Sequence, residues 1–296
     1  MNCVAVIYKP AGLSSSDVVI KCRNALSKSL GQKIKCGHTG TLDPAAEGVL
    51  VLGFGKLTKL FDYVQKERKR YSAFFTFGKE TDTFDREGAV VAENDFYPDI
   101  RDVRKAVKTF IGETEQIPPA YSAVNVNGVR AYKLARKGEE VRIAAKKVTI
   151  YSINIFSEYC DEFGRTAEIG LDIECGSGTY IRSICRDLAE KVGAIAYMSS
   201  LKRTACGGFT EKDAVSLDAF LSDPAACVIS EKDALSKLFS FIETDKETAK
   251  RLKYGQTVAF NSDLNEFVAT CDGEILGICA SEGGYIKLET HLWNTL

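Results

Sequence analysis

Hydrophobic residues near the start of the chain follow first strand spacing and then helix spacing. Val4 to Tyr8 is an apolar run of strand length, and the following Lys9-Pro10-Ala11-Gly12 indicates a turn. Ser14 to Ser16 then offer caps for a helix whose apolar residues recur on one face. These residues are Val18, Cys22, Ala25 and Leu26. A continuous apolar run from Val49 to Phe54, bounded by two glycines, predicts a buried strand.

The middle of the chain continues this mixture of patterns. A strand is predicted to begin at Tyr71, where apolar and polar residues alternate. Ile100 to Phe110 has the spacing of an amphipathic helix. Two more strands are predicted at Val148 to Phe156 and at Ala167 to Glu174, because apolar side chains fall on one side of each.

Arg182 lies in the first turn of a helix predicted from Tyr180 to Val192. We expect its side chain to point away from the apolar stripe of that helix. A cation is unfavourable near a helix N-terminus. Arg182 is therefore expected to have a partner such as a carboxylate or a phosphate.

The last part of the chain changes character. After Phe209 the sequence is acidic with a helical pattern, and from about residue 246 short alternating runs predict strands. These runs are Thr257 to Phe260, Phe267 to Cys271 and Ile275 to Ala280. We expect a large domain over residues 1–240 and a small β-rich module over residues 246–296, since the chain exceeds what one typical core organises.

The composition is that of an ordinary globular protein. Of 296 residues, 45% are hydrophobic and 27% are charged, which allows a sizeable core. We expect neither a signal peptide nor a membrane span. Ten cysteines without a close Cys-x2-Cys pair favour reduced thiols over a zinc site, and His38 and His291 are too few for a histidine-based metal site. The expected compartment is the cytoplasm.

Charge is unevenly distributed along the chain. The net charge of −1 does not by itself suggest a nucleic-acid partner. Between Tyr121 and Ile150, however, seven basic residues stand against two glutamates, which gives +5. The basic residues are Arg130, Lys133, Arg136, Lys137, Arg142, Lys146 and Lys147. The weak apolar periodicity predicts an extended or mobile surface insertion, which either binds a polyanion or is a solvated face; charge alone favours the solvated face.

Asp43, within Gly37-His38-Thr39-Gly40-Thr41-Leu42-Asp43-Pro44, is a candidate for chemistry. Asp-Pro is also a common turn opener, so the spacing alone favours a turn. His38 is likewise more typical of a polar residue in a turn than of a ligand. The chain lacks a dinucleotide-binding glycine motif, a phosphate-binding loop, His-Glu-x-x-His and Gly-x-Ser-x-Gly. These absences exclude the nucleotide-dependent, zinc-dependent and serine-hydrolase classes.

Several segments, in one order along the chain, resemble the tRNA pseudouridine-55 synthase family of the TruB type. They are Lys9-Pro10-Ala11-Gly12-Leu13-Ser14-Ser15, the Asp43 segment continued through Ala45-Ala46-Glu47-Gly48-Val49-Leu50, Lys69-Arg70-Tyr71 with Thr81-Asp82-Thr83-Phe84-Asp85, Gln116-Ile117-Pro118-Pro119-Ala120-Tyr121-Ser122-Ala123, and Gly178-Thr179-Tyr180-Ile181-Arg182 followed by Leu201-Lys202-Arg203-Thr204. The resemblance implies an α+β pseudouridine synthase fold with a mixed, mostly antiparallel sheet and a small C-terminal β-rich module like the RNA-binding PUA domain.

The resemblance also implies a function, the isomerisation of uridine 55 in the T-arm loop of tRNA after that nucleotide is flipped out of its stack. Asp43 would be the catalytic residue and Arg182 its partner. Tyr71 would stack on the flipped base, although a tyrosine at a strand end is also common in a core. Asp82 and Asp85 receive no role, and a turn or a salt bridge is the interpretation for both.

Other residues acquire expected roles from the same resemblance. Tyr180 and Leu201 would line the base pocket, His38 would lie against the RNA, and Lys9 would steady the active-site loop or a phosphate. The basic insertion, about residues 114–147, would close over the T-arm. Its RNA-binding residues would be Arg130, Lys133, Arg136 and Lys137. The resemblance implies no metal, no organic cofactor and no obligatory protein partner, and we expect a monomer.

Three alternatives remain open at this point. A guide-RNA-dependent synthase of the same superfamily would need partner proteins and usually a longer PUA portion. A non-catalytic tRNA-binding protein would keep the pocket residues without activity. A nucleoside or glycoside hydrolase would ordinarily need two carboxylates flanking the bond to be broken.

Overall fold

The computed structural model of the protein describes residues 1–126, 128–139 and 141–293. The α-helices are α1 (Ser15–Leu30), α2 (Phe61–Lys66), α3 (Ile100–Lys108), α4 (Ala131–Ala135), α5 (Ile181–Lys191), α6 (Leu217–Ser222), α7 (Glu231–Ser236) and α8 (Lys246–Lys253). The strands in the first half are β1 (Cys3–Lys9), β2 (Cys36–His38), β3 (Glu47–Phe54), β4 (Lys69–Phe77), β5 (Lys79–Thr81), β6 (Val90–Glu93), β7 (Gly112–Gln116), β8 (Asn125–Val126) and β9 (Val129–Arg130). Those in the second half are β10 (Lys146–Cys160), β11 (Thr166–Cys175), β12 (Ala196–Cys206), β13 (Phe209–Thr210), β14 (Val215–Ser216), β15 (Ile229–Ser230), β16 (Phe241–Glu243), β17 (Val258–Ala259), β18 (Glu266–Cys271), β19 (Glu274–Glu282) and β20 (Tyr285–His291).

A mixed sheet of eleven strands organises the described residues up to Ser230. Eight strands follow the order β14-β1-β3-β12-β4-β11-β10-β7, while β2, β13 and β15 pair beside them. The β1–β14 and β3–β12 pairs are parallel, and the other pairs in this sheet are antiparallel. The predicted mixed, mostly antiparallel sheet is confirmed.

Helix α1 has a cap at each end, and the cap at its N-terminus is within the predicted Ser14 to Ser16. Ser14 is the N-cap, and it forms a capping box with Asp17. The helix ends at Gly31, whose φ of 65° is the left-handed conformation that glycine adopts at low cost. Val18, Cys22 and Leu26 are buried against the sheet, whereas Ala25 remains partly exposed.

Strands β1 and β3 are buried on both faces, as their continuous apolar runs suggest. One face carries Ala5 and Leu50 into a core shared with α1, α3, α5 and α6. The other face carries Val4 and Val49 into a second core, against α2 and α7. Successive residues of a strand point to opposite faces, so an apolar run fits only a strand covered on both sides. The buried strand predicted at Val49 to Phe54 is confirmed.

A second sheet lies in the C-terminal part, in the order β16-β18-β19-β20-β17. It encloses a small core with α8, to which Phe267 and Leu252 contribute. The same sheet also packs on the main sheet, since Val268 and Ile278 lie in the core that contains Val4 and Val49. The C-terminal module therefore covers one face of β1 and β3.

The basic insertion has local structure that the sequence pattern did not predict. The flanking strands β7 and β10 pair with each other in the main sheet, so the chain leaves the sheet between residues 117 and 145. Within this stretch β8 and β9 form a short hairpin, and α4 follows with Ala131 fully buried. The prediction of an extended or mobile insertion did not include these elements, because two-residue strands and a five-residue helix are too short to produce a periodic pattern. Among the described residues, no helix is both long and apolar enough for a membrane span.

Candidate active site

Asp43 lies in the loop of residues 39–46, which joins β2 to β3. Arg182 lies in the first turn of α5, and the two side chains meet, with Arg182 Nη2 2.8 Å from Asp43 Oδ2. The Asp43 side chain is 35% exposed, whereas that of Arg182 is almost fully buried. The ion pair therefore hides the cation and leaves the carboxylate accessible from outside the protein.

The burial of Arg182 corrects one prediction. We expected its side chain to point away from the apolar stripe, but the residue is 5% exposed. Its Nη1 lies 3.5 Å from Asp85 Oδ2 and donates to the Thr83 carbonyl at 3.1 Å, while Nη2 donates to the Tyr121 carbonyl at 3.0 Å. These partners come from separate loops, which helical periodicity cannot reveal. Together with Asp43 they compensate a buried cation at an unfavourable end of a helix.

Asp85 belongs to this site although sequence reasoning gave it no role. Its Oδ1 accepts hydrogen bonds from Thr83 Oγ1 at 2.6 Å and from the Glu87 backbone N–H at 3.0 Å. These bonds direct Oδ2 towards Arg182, and the residue is only 6% exposed. Asp85 therefore stabilises a turn and also forms a salt bridge, the two interpretations that the sequence suggested. The one sequence signal was its place in the segment Thr81-Asp82-Thr83-Phe84-Asp85.

Lys9 supports the loop of residues 39–46 after Asp43. Its side chain is fully buried, and Nζ donates to the carbonyls of Pro10 at 2.9 Å, Leu13 at 2.6 Å and Pro44 at 3.1 Å. Burial lowers the pKa of Lys9 to about 8, although the charge of Asp43 opposes this shift. A lysine in this position cannot reach a phosphate, so the geometry favours the loop-steadying role.

Arg203 supports the same loop before Asp43, and sequence reasoning named it only as part of a motif. Its Nε donates to the Val49 carbonyl at 2.8 Å and its Nη2 to the Gly40 carbonyl at 3.1 Å. Its Nη1 lies 3.5 Å from the Thr41 carbonyl oxygen. The loop is thus held from within the protein on both sides of the carboxylate.

Tyr71 lies near the start of β4, directly opposite Arg203 on β12. It is half-buried and shares its face of the strand with the core residues Ala73 and Phe75. Burial raises the pKa of Tyr71 to about 12, while the adjacent Arg203 guanidinium lowers it. The ring is therefore a neutral aromatic surface at physiological pH. Because Arg203 contacts both, Tyr71 and the loop of residues 39–46 come together at this face.

Tyr180 and Leu201 lie beside these residues. Tyr180 is the N-cap residue of α5, two positions before Arg182. Burial raises the pKa of its half-buried hydroxyl, the Ser122 hydroxyl lowers it, and the charge of Asp43 raises it. Leu201 is nearly buried on β12, opposite Ala73. Tyr180 is thus close enough to Asp43 to sense its charge.

His38 is the last residue of β2, at the start of the loop that carries Asp43. The ring is half-buried. Burial and the charge of Arg203 both lower its pKa. His38 is therefore neutral at pH 7 and can offer a hydrogen bond, but not a positive charge, to a ligand.

The four basic residues expected to bind RNA are all exposed on the insertion. Arg130 donates to the Ala123 carbonyl at 2.6 Å, and Lys137 lies 3.9 Å from Glu139. Arg136 lies over the Tyr132 ring, and Lys133 is on α4. In the part of the chain that the structure describes, none of these four side chains forms a hydrogen bond or an ion pair with Asp43.

The root of the insertion is fastened to α5. The buried Gln116 amide donates to the Tyr180 carbonyl at 3.1 Å and accepts from the Tyr180 N–H at 2.8 Å. Ser183 Oγ and Arg186 Nη2 donate to the Ile117 carbonyl at 2.8 Å and 3.1 Å. The basic residues and the Asp43–Arg182 pair are therefore connected through the first turn of one helix.

Comparison with known proteins identifies the family. The model of the TruB family pseudouridylate synthase N-terminal domain matches residues 27–181, and that of the tRNA pseudouridylate synthase B C-terminal domain matches residues 182–244. A protein of Rickettsia bellii named tRNA pseudouridine synthase B is 39% identical over 263 residues, covering 88% of this chain and 86% of its own. Proteins with the same name are 40% identical over 271 residues in Clostridium perfringens, covering 90% and 88%, and 36% identical over 296 residues in Clostridium novyi, covering 98% and 99%.

Solved structures share the fold at low sequence identity. One is an H/ACA ribonucleoprotein bound to a substrate RNA containing 2′-deoxyuridine, with a TM-score of 0.69 and 17% identity over 99% of this chain and 85% of that chain. Another is the archaeal box H/ACA Nop10–Cbf5 complex, with a TM-score of 0.66 and 18% identity over 98% and 85%. The family models, the similarity along nearly the whole chain and the shared fold agree that this chain belongs to the TruB family of pseudouridylate synthases.

Proposed function

We propose that this chain converts uridine 55 in the T-arm loop of tRNA to pseudouridine, with Asp43 as the catalytic residue. The observation that carries the proposal is the Asp43–Arg182 pair, in which a buried guanidinium orients an accessible carboxylate. The names of the relatives from Rickettsia and Clostridium, tRNA pseudouridine synthase B, support tRNA as the substrate.

The chemistry requires one reactive carboxylate. The N1–C1′ bond of the nucleotide breaks, the uracil turns, and C5 bonds to C1′, while the proton lost from C5 is balanced by one gained at N1. An ionised carboxylate can attack C1′, add to the ring or accept the proton. Arg182 Nη2, 2.8 Å from Asp43 Oδ2, holds the carboxylate in a fixed orientation for each of these roles.

The neighbouring side chains suit a base that has left its stack. A flipped uracil loses stacking on its neighbours, and an aromatic ring replaces part of that contact. Tyr71 offers such a ring beside the loop of residues 39–46, and Leu201 and Tyr180 supply further apolar surface. We infer that these three side chains form the pocket for the base.

The basic insertion supplies the charge that binding of RNA requires. The side chains of Arg130, Lys133, Arg136 and Lys137 are exposed. Contacts from such side chains to phosphates do not depend on the base sequence of the RNA. Because its root is fastened to α5, the insertion lies next to the catalytic pair. We propose that it closes over the T-arm.

The C-terminal module offers a second RNA-binding surface. Lys246, Lys250 and Lys253 line a groove with Tyr254 and Trp293, a combination of cations and rings typical of single-stranded RNA sites. Two of the lysines face acidic partners, since Lys246 lies 3.2 Å from Asp272 and Lys253 lies 3.9 Å from Glu274. We propose that this groove binds RNA more weakly than the basic insertion does.

We further propose that the protein acts in the cytoplasm as a monomer, without cofactor, guide RNA or protein partner, with a catalytic domain over residues 1–240 and an RNA-binding module over residues 246–296. All ten cysteines, which lie within the described residues, are free thiols, and free thiols are typical of a reducing compartment. A hydrolase is disfavoured because Asp85, which shares Arg182 with Asp43, is too buried to flank a substrate bond.

The test is incubation of purified protein with an isolated T-arm hairpin, without metal or guide RNA, followed by mapping of pseudouridine. We expect single-turnover conversion at position 55, none with Asp43→Asn, and normal conversion with the control Asp95→Asn at an exposed site. Both variants should bind the hairpin like the unaltered protein. Activity in Asp43→Asn would remove Asp43 from catalysis, release of free uracil would indicate a hydrolase, and a requirement for guide RNA would indicate the other branch of the superfamily.

A further inference from the structure

Arg203 carries a positive charge where a charge is costly. Its side chain is among the largest that are fully buried, with 1% of the residue exposed. Among the residues that the structure describes, no acidic side chain forms an ion pair with it. A buried cation without an acidic partner destabilises a protein unless its hydrogen bonds compensate. Those bonds therefore indicate what Arg203 does.

All three of its polar contacts to the loop and to β3 are with backbone carbonyls. Two belong to Gly40 and Thr41, three and two residues before Asp43, and the third belongs to Val49 on β3. The guanidinium is planar and its N–H groups point in fixed directions. One rigid group thus fixes the path of the chain into Asp43 relative to the strand that follows it.

The position of Arg203 is itself fixed by close backbone packing. Arg203 pairs in parallel with Gly48, whose φ of 102° is in the left-handed region. A Cβ at residue 48 would collide with the Arg203 carbonyl oxygen, so a glycine is needed there. The backbone of β12 therefore lies directly against the end of the loop that carries Asp43.

The same guanidinium lies against Tyr71. Tyr71 is the residue opposite Arg203 on β4, and although burial raises the pKa of its hydroxyl to about 12, the adjacent charge of Arg203 lowers it. In the proposed function Tyr71 stacks on the uracil and Asp43 acts on the nucleotide. Arg203 therefore lies against both Tyr71 and the loop that carries Asp43, while its own side chain remains buried.

We propose that Arg203 is a positioning residue for pseudouridine formation, which sets the distance between the Asp43 carboxylate and the base stacked on Tyr71. This inference rests on the proposed function. Lys9 complements Arg203, since it holds the loop after Asp43 through the Pro44 carbonyl. The site therefore has a support before and a support after its carboxylate.

The experiment compares Arg203→Lys with a matched control, Lys69→Met. Lys69 is also a buried cation that donates to backbone carbonyls, those of Val64, Gln65 and Glu67 at the end of α2. Lysine at position 203 keeps the charge but cannot reproduce the fork of donors. In Arg203→Lys we expect single-turnover conversion of the T-arm hairpin to fall about 100-fold, because small displacements of reacting groups have effects of that order. Its Kd for the hairpin should stay within about threefold of that of the unaltered protein, since the removed contacts do not touch RNA.

Amide hydrogen exchange supplies a readout that does not depend on activity. Peptides covering residues 39–46 should exchange faster in Arg203→Lys and should be unchanged in Lys69→Met. Lys69→Met should lower the melting temperature and leave the conversion rate as it was. A further variant, Tyr71→Phe, should slow conversion in the unaltered background and have no additional effect with Arg203→Lys, because both changes alter the same pair of facing residues.

The outcomes separate the inference from the proposed function. If the unaltered protein forms no pseudouridine, the proposed function fails, while the exchange measurement still tests whether Arg203 orders the loop. If the unaltered protein is active and Arg203→Lys matches it in rate and exchange, Arg203 is not a positioning residue. Equal losses of rate in Arg203→Lys and Lys69→Met would also overturn the inference, because the effect would then be general destabilisation.

Discussion

Asp43 and Asp85 bind opposite ends of one guanidinium, that of Arg182, at 2.8 Å and 3.5 Å. The two carboxylates differ in access, because Asp43 is partly exposed and Asp85 is buried. Asp85 is itself held by Thr83 and by a backbone N–H. The buried carboxylate thus orients the arginine, and the arginine orients the accessible carboxylate.

Removing the charge of Asp85 should slow the reaction without weakening RNA binding. In Asp85→Asn the guanidinium loses its second carboxylate, and we expect conversion to fall about 10-fold to 100-fold under single turnover. The matched control is Asp82→Asn, since Asp82 accepts a hydrogen bond from Ala89 in the same turn but makes no contact with Arg182. Equal rates for the two variants would show that Arg182 does not need Asp85.

Shortening the side chain of Tyr71 should reveal its stacking contribution. Tyr71→Ala removes the ring, and base stacking on an aromatic residue is worth about 1–3 kcal/mol. We therefore expect a loss of conversion in Tyr71→Ala much larger than that in Tyr71→Phe, which keeps the ring. Fluorescence of 2-aminopurine placed beside the target uridine would report whether the base still leaves its stack. Similar losses in both variants would assign the effect to the hydroxyl instead.

Neutralising the basic insertion should change how tRNA affinity depends on salt. Each lost phosphate contact reduces the slope of log K against log salt by about 0.7 to 0.9. Replacing Lys133, Arg136 and Lys137 by glutamine should therefore flatten the slope by about 2 if most of them touch phosphate. The control replaces the equally exposed Arg101, Lys105 and Lys108. A slope that changes equally in both triple variants would make the insertion a solvated face.

The burial of Lys9 gives a stability change at alkaline pH. Its pKa falls from 10.5 to about 8 on folding, so between these values the unfolded chain binds more protons than the folded chain. The contribution of Lys9 to the free energy of unfolding therefore increases with pH between about 8 and 10.5 and does not change below about 8. The total increase is at most roughly 3 kcal/mol. Urea unfolding at several values between pH 7 and 10.5 should show this gain for the unaltered protein relative to Lys9→Met. The same pH dependence in both would mean that Lys9 does not lose its proton on folding.

The fold was largely predictable because long elements leave regular patterns. The doubly buried strand β3, the half-buried strand β4 and the helix α5 all follow from spacing of apolar residues. The short hairpin and helix of the basic insertion did not, since they contain too few residues for a period to be recognised. The placement of the strands in one mixed sheet came from the family resemblance rather than from the patterns.

The site was predictable only in part, and for a physical reason. Asp43 sits in a segment whose specificity as a motif distinguishes it from an ordinary turn. Asp85 and Arg203 act through contacts with residues about a hundred positions away or more, Arg182 and Gly40, and no local spacing encodes such contacts. The burial of Arg182 was missed for the same reason, because its partners are brought together only by the folded sheet.

The core shared by the two sheets determines how the C-terminal module can be studied. Val268 and Ile278 share a core with Val4 and Val49. Val4 lies on the strand that ends at Lys9, and the Val49 carbonyl accepts a hydrogen bond from Arg203. Deleting residues 246–296 would expose that core to water, so the shortened chain would aggregate or misplace its active site even if the module never touched RNA. A loss of activity on truncation would thus result from the exposed face of the main sheet and would not show that the module binds RNA. Substitution of Lys250 in the groove of α8, which leaves that cover in place, is the change that isolates RNA contact.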